Sequence, residues 1–388
     1  MRTLCSGVVA LAVAMGVGRF AYTPILPLMK SEAGLGDAFA GILAAANYLG
    51  YLAGALLAAH VFFRARRIPA IRWALAAGCA TTLAMGLGAD PAVWLVLRFI
   101  GGLASAFVLI LVSSVILDRA SREGKAWWPG ILYSGVGLGI ALTGVLVPYL
   151  ARGGWRASWL GLGLLSILLC VAIVPGLSDA RVESAHETAA AVERPNPATY
   201  WPLMIAYFAD GVGYIVPATF IVAILRATPE LAAFAASSWV IVGLVAAPSP
   251  VLWGRLGARF GRIPMLAVAL LLLTAGVLAP VFARNVAGAV FSALALGATF
   301  MGITTLVNME ARALFPHSSN RAIGELTAAF GIGQIVGPLV VSAVAASGGS
   351  YDLALLVAAA VLAAGTATLV AGCLATTASE AGKKKARR

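Results

Sequence analysis

Twelve apolar stretches follow one another along the chain, at roughly 3–28, 38–62, 73–89, 92–117, 129–150, 155–174, 202–224, 237–253, 263–283, 286–308, 321–343 and 353–373. A helix rises about 1.5 Å per residue, so about 20 such residues cross a hydrocarbon core about 30 Å thick. Inside lipid the backbone has no water to bond. A run of this length satisfies its N–H and C=O groups by coiling into a helix. Hydrophobic residues fill 61% of the 388 positions and charged residues 11%, which excludes a soluble globular domain. The expected fold class is all-α integral membrane, with twelve transmembrane helices. The first stretch is too long for a cleaved signal peptide, carries Arg19 and lacks a small-residue cleavage site, so it counts as a span.

The net charge of +12 does not point to nucleic acid, because the basic residues cluster in the short connections. With the N-terminus placed in the cytoplasm, twenty of the 27 basic residues fall on that side. Five (Lys30, Arg152, Arg156, Arg226 and Arg284) fall on the other, and Arg19 and Arg98 lie within spans. Lysine and arginine in short loops set orientation in this sense. The expected localisation is the cell (inner) membrane, multi-pass, with both termini cytoplasmic. The basic tail from Lys383 to Arg388 suits an anionic leaflet. Trp73, Trp94, Trp127, Trp128, Trp155, Trp201 and Trp253 fall at span ends, as an aromatic belt would.

Chemistry other than transport finds little support. Cys5, Cys79, Cys170 and Cys373 have neither metal-ligand spacing nor a disulfide framework, and His60, His186 and His317 form no constellation. A phosphate-binding Gly-x-x-x-x-Gly-Lys loop and a nucleophile elbow are both missing. No cofactor, no metal and no enzyme activity are expected, and ATP does not drive this chain.

The chain repeats itself. At a shift of 195 positions Gly16-Val17-Gly18 meets Gly211-Val212-Gly213, Arg64 meets Arg259, Arg67-Ile68-Pro69 meets Arg262-Ile263-Pro264, and Gly102 meets Gly297. A parallel repeat of six-helix units implies a pseudo-two-fold axis along the membrane normal, with a site between the halves. The expected division is an N-terminal half over 1–174, a polar linker over 175–201, a C-terminal half over 202–374 and a basic tail over 375–388.

Charge inside a span marks the candidate site. An arginine at mid-membrane costs about 2.5 kcal/mol or more, and such residues usually face a cavity or a partner. Arg19 lies in Gly16-Val17-Gly18-Arg19-Phe20-Ala21-Tyr22-Thr23-Pro24, and helical spacing puts Tyr22 and Thr23 on its face. Pro24 and Pro27 break the hydrogen bonding near the outer end. The structural alternative is an arginine that only pins two helices. Asp210 is the acid deepest in any span, with Tyr207 and Tyr214 on its face. It reads as a proton carrier or as a fixed counter-ion to Arg19 or Arg98. Arg98 lies about six residues from the outer end of its span, where it can also snorkel. Asn47, Tyr48 and Tyr51 form a polar stripe read as interhelical hydrogen bonds. Glu325 and Arg321 read as a local ion pair, and Glu310 and Arg312 as loop charges.

Two repeated six-helix halves, each with a basic loop between its second and third helices, resemble the major facilitator superfamily. The loop is clearest as Gly254-Arg255-Leu256-Gly257-Ala258-Arg259-Phe260-Gly261-Arg262, with Ala258 where the superfamily pattern has aspartate. In the first half only Arg64, Arg66 and Arg67 remain. The Arg19 stretch, Leu132 to Gly139, and Gly331-Ile332-Gly333-Gln334 look like the YbfB/YjiJ-type branch. The resemblance implies a cavity lined by helices 1, 4, 7 and 10. Substrate contacts would then come from Arg19, Tyr22, Thr23, Arg98, Tyr207, Tyr214, Thr304 and Asn308, and proton coupling from Asp210. Gating would fall to Arg64, Arg67, Gly254, Arg259, Gly261 and Arg262. Arg98-Phe99-Ile100-Gly101-Gly102 resembles the helix-4 arginine motif of proton-coupled exporters, but helix 5 lacks the Gly-Pro pair of the antiporter motif.

These features point to a secondary transporter of a small organic solute working by alternating access, coupled to a proton gradient or driven by the solute's own, with proton coupling preferred and export preferred over import. The alternative is a membrane receptor or sensor that kept the fold and lost transport. The expected partners are the solute, the lipid bilayer and protons, and a monomer is expected.

Overall fold

The computed structural model describes residues 1–58, 60–64, 66–125, 127–178, 197–315 and 319–386, with backbone only at 61, 64, 319, 320 and 376–386. Helices α1 to α12 run Arg2–Ala33, Asp37–Ala58, Arg67–Ala84, Pro91–Arg122, Trp128–Leu150, Gly154–Ile173, Pro197–Arg226, Ala235–Ala246 continued by Ser249–Phe260, Arg262–Phe282, Val286–Leu314, Ser319–Ala346 and Tyr351–Ala386. Among the described residues, ten segments are long and apolar enough to cross a bilayer. One of them, Trp128–Gly176, has 49 residues and reverses at Gly154, whose φ of +80° favours a residue without a Cβ. It is therefore two spans, and Arg67–Ala84 completes the expected twelve. That helix starts six residues before the expected stretch at 73–89, so Arg67 and Arg72 ride on its first turns.

Most of the linker expected at 175–201, including Arg181, His186 and Arg194, lies outside the described residues. So do His317, the side chain of Arg64 and the side chains of the tail from 376 onward.

The packing follows the 195-residue repeat. A Cβ at Gly102 would overlap the carbonyl oxygen of Asn47 where α4 crosses α2. At the related crossing of α10 and α8, a Cβ at Gly297 would lie 2.6 Å from the carbonyl oxygen of Val242. Both residues of the second pair are the first pair moved by 195. Gly16 of α1 meets the Gly139 backbone of α5, as Gly211 of α7 meets α11 at Phe330 and Gly333. Small residues let these backbones touch, which is how helices associate where lipid removes the hydrophobic drive.

Four of the seven tryptophans expected in an aromatic belt are interior. Trp94, Trp128, Trp155 and Trp253 are buried. Trp94 packs edge-on against Trp155 with ring centroids 5.4 Å apart, and Trp253 Nε1–H donates to the Ala298 carbonyl at 2.7 Å. Only Trp73, Trp127 and Trp201 are exposed. Position along a helix locates depth, but both the lipid side and the protein side of a span are apolar. The sequence pattern therefore carries little about which way a tryptophan faces.

The halves meet along α2 with α11, along α5 with α8, and where the end of α1 crosses α7. On the face away from residue 1, Lys30 pairs with Asp37 at 2.5 Å, and Tyr351 of the other half donates its O–H to Asp37 at 2.5 Å. Toward the terminal face α4 and α10 make no extended contact with the opposite half among the described residues. The seam is closed on the far face, and α5 also stays close to α8 near the terminal one, where a Cβ at Gly130 would lie 2.6 Å from the Val251 side chain.

Candidate functional site

The site starts from a defect in α1. Its helix turns π-helical over Ala12–Val17 and then breaks through 18–21 before resuming at Tyr22. Gly18 and Phe20 bond back five residues, to the carbonyls of Val13 and Met15. Pro24 has no N–H, and the Phe20 carbonyl is taken by Thr23 at 3.3 Å instead. The break frees the carbonyls of Gly18 and Arg19. Arg98, buried in α4, donates Nη1 to the first and Nη2 to the second, each at 3.4 Å. Its guanidinium lies over the Tyr22 ring at 4.8 Å, and its own backbone carbonyl accepts from Asn47 Nδ2 at 2.8 Å. A buried unsatisfied polar group costs about 1–3 kcal/mol, so capping two carbonyls is a sizeable structural task. Arg98 is buried and does not snorkel.

The break also undoes the expected shared face of Arg19, Tyr22 and Thr23, because a regular 3.6-residue period no longer applies. Tyr22 O–H donates to the Ala40 carbonyl at 3.1 Å. Thr23 donates across the seam to the Ala218 carbonyl at 2.7 Å. Thr23 and Ala218 are 195 apart, so repeat mates touch at the pseudo-two-fold axis. Tyr48 O–H and Thr219 Oγ1 add a second bond across it at 2.9 Å.

Arg19 points elsewhere. Its side chain is 2% exposed, and its guanidinium lies over Tyr51 at 4.1 Å and Tyr48 at 4.8 Å. Its Nε and Nη2 have no hydrogen-bond partner. The stripe of Asn47, Tyr48 and Tyr51 does supply interhelical bonds, and it also supplies this aromatic platform, which its spacing alone does not reveal. A cation over a desolvated tyrosine face gains about 1–2 kcal/mol.

Across the seam, Asp210 is 2% exposed and makes no ion pair within 4.0 Å among the described residues. It is therefore not a direct counter-ion to Arg19 or Arg98 in this arrangement. Tyr207 donates to Thr304 at 3.2 Å and stacks on Phe330 at 4.5 Å. Tyr214 accepts a hydrogen bond from Gln334 Nε2 and lies between Phe330 and Phe300. Asn308 is half-buried, with Oδ1 unpartnered. Gln334, Phe300 and Phe330 join this cluster although the sequence does not single them out as site residues, since a phenylalanine is indistinguishable from packing in an apolar span and Gln334 shows only as the end of its glycine-rich stretch.

The loop residues expected to gate divide in two. Arg67 pairs with Asp118 and donates to Ser114 at 2.9 Å, while Arg262 pairs with Glu310 at 2.5 Å. Each arginine ties the start of one helix to the end of the next within its own half. Glu310 and Arg312 are not loop charges but lie inside α10, and Glu310 is buried. Arg259 is exposed over Phe260 at 5.1 Å and makes no ion pair among the described residues. Gly261 adopts φ +94°, so glycine suits the turn into α9. Gly254 has room for a side chain, since a Cβ there would lie 3.7 Å from its nearest neighbour, the Thr305 methyl. Glu325 pairs locally with Arg321 at 2.9 Å and also accepts from Tyr200.

A family model described as an uncharacterised MFS-type transporter, YbfB, matches residues 11–370. The chain belongs to the major facilitator superfamily. That family is described as one of MFS-type transporters. An uncharacterized MFS-type transporter, YceJ of Bacillus subtilis (strain 168), is 26% identical over 168 residues, which is 42% of this chain and 43% of that one. The match thus spans less than half of that relative. Among solved structures, nucleoside transporter NupG superposes with a TM-score of 0.76 at 13% identity, covering 96% of this chain and 100% of that one. A D-xylose–proton symporter gives 0.71 at 14% identity over 92% and 96% of the two chains. A bacterial homologue of the lysosomal transporter Spinster, inward-facing and occupied, gives 0.66 at 18% over 97% and 96%. At these identities the likeness carries the major facilitator fold alone.

Proposed function

We propose that this major facilitator protein carries a small organic solute across the cell (inner) membrane by alternating access, coupled to protons and running as an exporter. The observation that carries the reading is a pair of ionisable residues buried on the repeat-related helices α1 and α7. Arg19 and Asp210 are each 2% exposed and unpaired with one another. Burying unpaired charge is costly, so residues kept this way are commonly functional. Arg19, Tyr207, Tyr214, Thr304 and Asn308 would meet solute. Tyr22, Thr23 and Arg98 would hold the frame that orients Arg19. The helix-4 arginine motif favours export. Arg259 would engage the opposite half when the terminal face closes, Arg67 and Arg262 brace the helix starts behind it, and Arg64, Gly254 and Gly261 would complete the gate.

Both termini belong in the cytoplasm on this reading. A reporter active only in the cytoplasm should give signal when fused after Arg388 and when inserted within 181–194, and silence from either would reverse the orientation. The function itself is tested by proteoliposomes screened against a metabolite panel with and without an imposed pH gradient. Solute flux that rises with the gradient is expected. Flux for no solute, with the protein folded and correctly inserted, would favour a receptor that kept only the fold.

A further inference from the structure

We infer that the unpartnered edge of Arg19 is a carboxylate-binding site and that the solute is a small organic monocarboxylate. This rests on the transporter reading above and adds the chemical class of its solute. The Nε–Nη2 edge of a guanidinium presents two parallel N–H bonds spaced to meet both oxygens of a carboxylate. In Arg19 both of those nitrogens are buried and have no hydrogen-bond partner. An arginine kept only to join helices would aim its donors at carbonyls. Arg98, its neighbour, does this with both Nη atoms. Tyr51 and Tyr48 cover the face of the Arg19 guanidinium instead, which fixes the plane and leaves the edge unused.

The opposite wall suits the same ligand. Tyr214 is the residue that the 195 shift sets against Arg19, one turn along from the touching mates Thr23 and Ala218. Its hydroxyl takes Gln334 Nε2. Phe300 links the two walls, 5.5 Å from Phe20 and 5.1 Å from Tyr214, and offers an apolar surface to a carbon skeleton. The charge count selects a monoanion. Arg98 is committed to backbone carbonyls, and the other buried arginine among the described residues, Arg67, is paired with Asp118 at the terminal end of α3. With Asp210 carrying its proton, one unneutralised guanidinium balances one carboxylate. A phosphate monoester, at about −1.5 to −2, would leave charge over beside Asp210. Arg19 lies beneath the Thr23–Ala218 and Tyr48–Thr219 contacts, so parting the halves on the far face would open its edge.

The test uses the full chain in lipid nanodiscs, with thermal shift and competition binding. The probes are monocarboxylates from acetate to benzoate, their neutral amides, and inorganic phosphate. At least one carboxylate should bind, its amide and phosphate should not, and Arg19→Lys should weaken binding about ten- to a hundredfold, the scale of a charged hydrogen bond. No carboxylate binding to the wild type, amides binding as well as acids, phosphate binding better, or unchanged affinity in Arg19→Lys would each overturn the inference. If Arg19→Lys does not fold, the acid–amide comparison on the wild type decides. Counterflow in proteoliposomes separates the two readings. Binding without exchange would refute transport and leave the site, whereas exchange of a neutral solute that ignores Arg19→Lys would leave transport and refute the site.

Discussion

Gly102→Leu should leave little folded protein in the membrane. The α2–α4 crossing has no spacing layer of side chains. A Cβ at Gly102 overlaps the Asn47 carbonyl oxygen, and one at Gly50 overlaps that of Phe99. A flexible side chain can swing aside, but a helical backbone oxygen cannot, so the helices must separate. Overpacking a core commonly costs about 1–3 kcal/mol, and a clash with backbone belongs at or above the top of that range. Separation would also strain the Asn47 Nδ2 bond to the Arg98 carbonyl, and with it the cap on the α1 break. Gly78→Ala is the matched control, because a Cβ there meets only the Ala104 methyl at 3.9 Å. Fluorescence-detected size exclusion and thermal unfolding should show a monodisperse Gly78→Ala and an aggregated or absent Gly102→Leu. A Gly102→Leu protein as stable as wild type would mean that the crossing is not this close.

Much of this architecture is legible in the chain. Span length and the cost of exposed backbone in lipid dictate helices, and the 195 shift dictates two halves whose mates pack alike, as Gly102 and Gly297 do. Arg19 and Asp210 stand out because intramembrane charge is rare. The break in α1 is only half visible. Pro24 and Pro27 point to the outer end, but the defect extends back through a π segment at Ala12–Val17, whose stability depends on Gly139 and Arg98 from other helices. The task of Arg98 is hidden for the same reason, since a cap on the carbonyls of another helix leaves no periodic trace. Glu310 looks like a loop charge because Arg262, which neutralises it, is 48 positions away. Interior tryptophans pass for a belt because depth, not direction, is what a span end encodes.

Asp210→Asn should abolish gradient-driven accumulation while leaving solute exchange. The substitution keeps the shape of the side chain and removes the group that carries a proton. Asp210 is buried in α7 with no cation within 4.0 Å among the described residues, so an ionised carboxylate there would lack compensation. On the proposed mechanism a proton accompanies the residue while the seam is closed around it, and leaves when the opposite face opens. Asparagine holds the neutral form permanently. The cycle can then shuttle solute down its own gradient and exchange it, but the proton gradient has nothing to act on. The Tyr207–Thr304 bond and the Phe330 stack on the same helix face involve no charge and should survive.

The most direct test of coupled alternating access is made on proteoliposomes holding wild type or Asp210→Asn at equal density. Solute counterflow and accumulation under an imposed pH gradient are measured on the same preparations. The account predicts equal counterflow in the two, with accumulation in Asp210→Asn reduced to that seen without a gradient. Accumulation by Asp210→Asn at the wild-type level and with the same gradient dependence would contradict it.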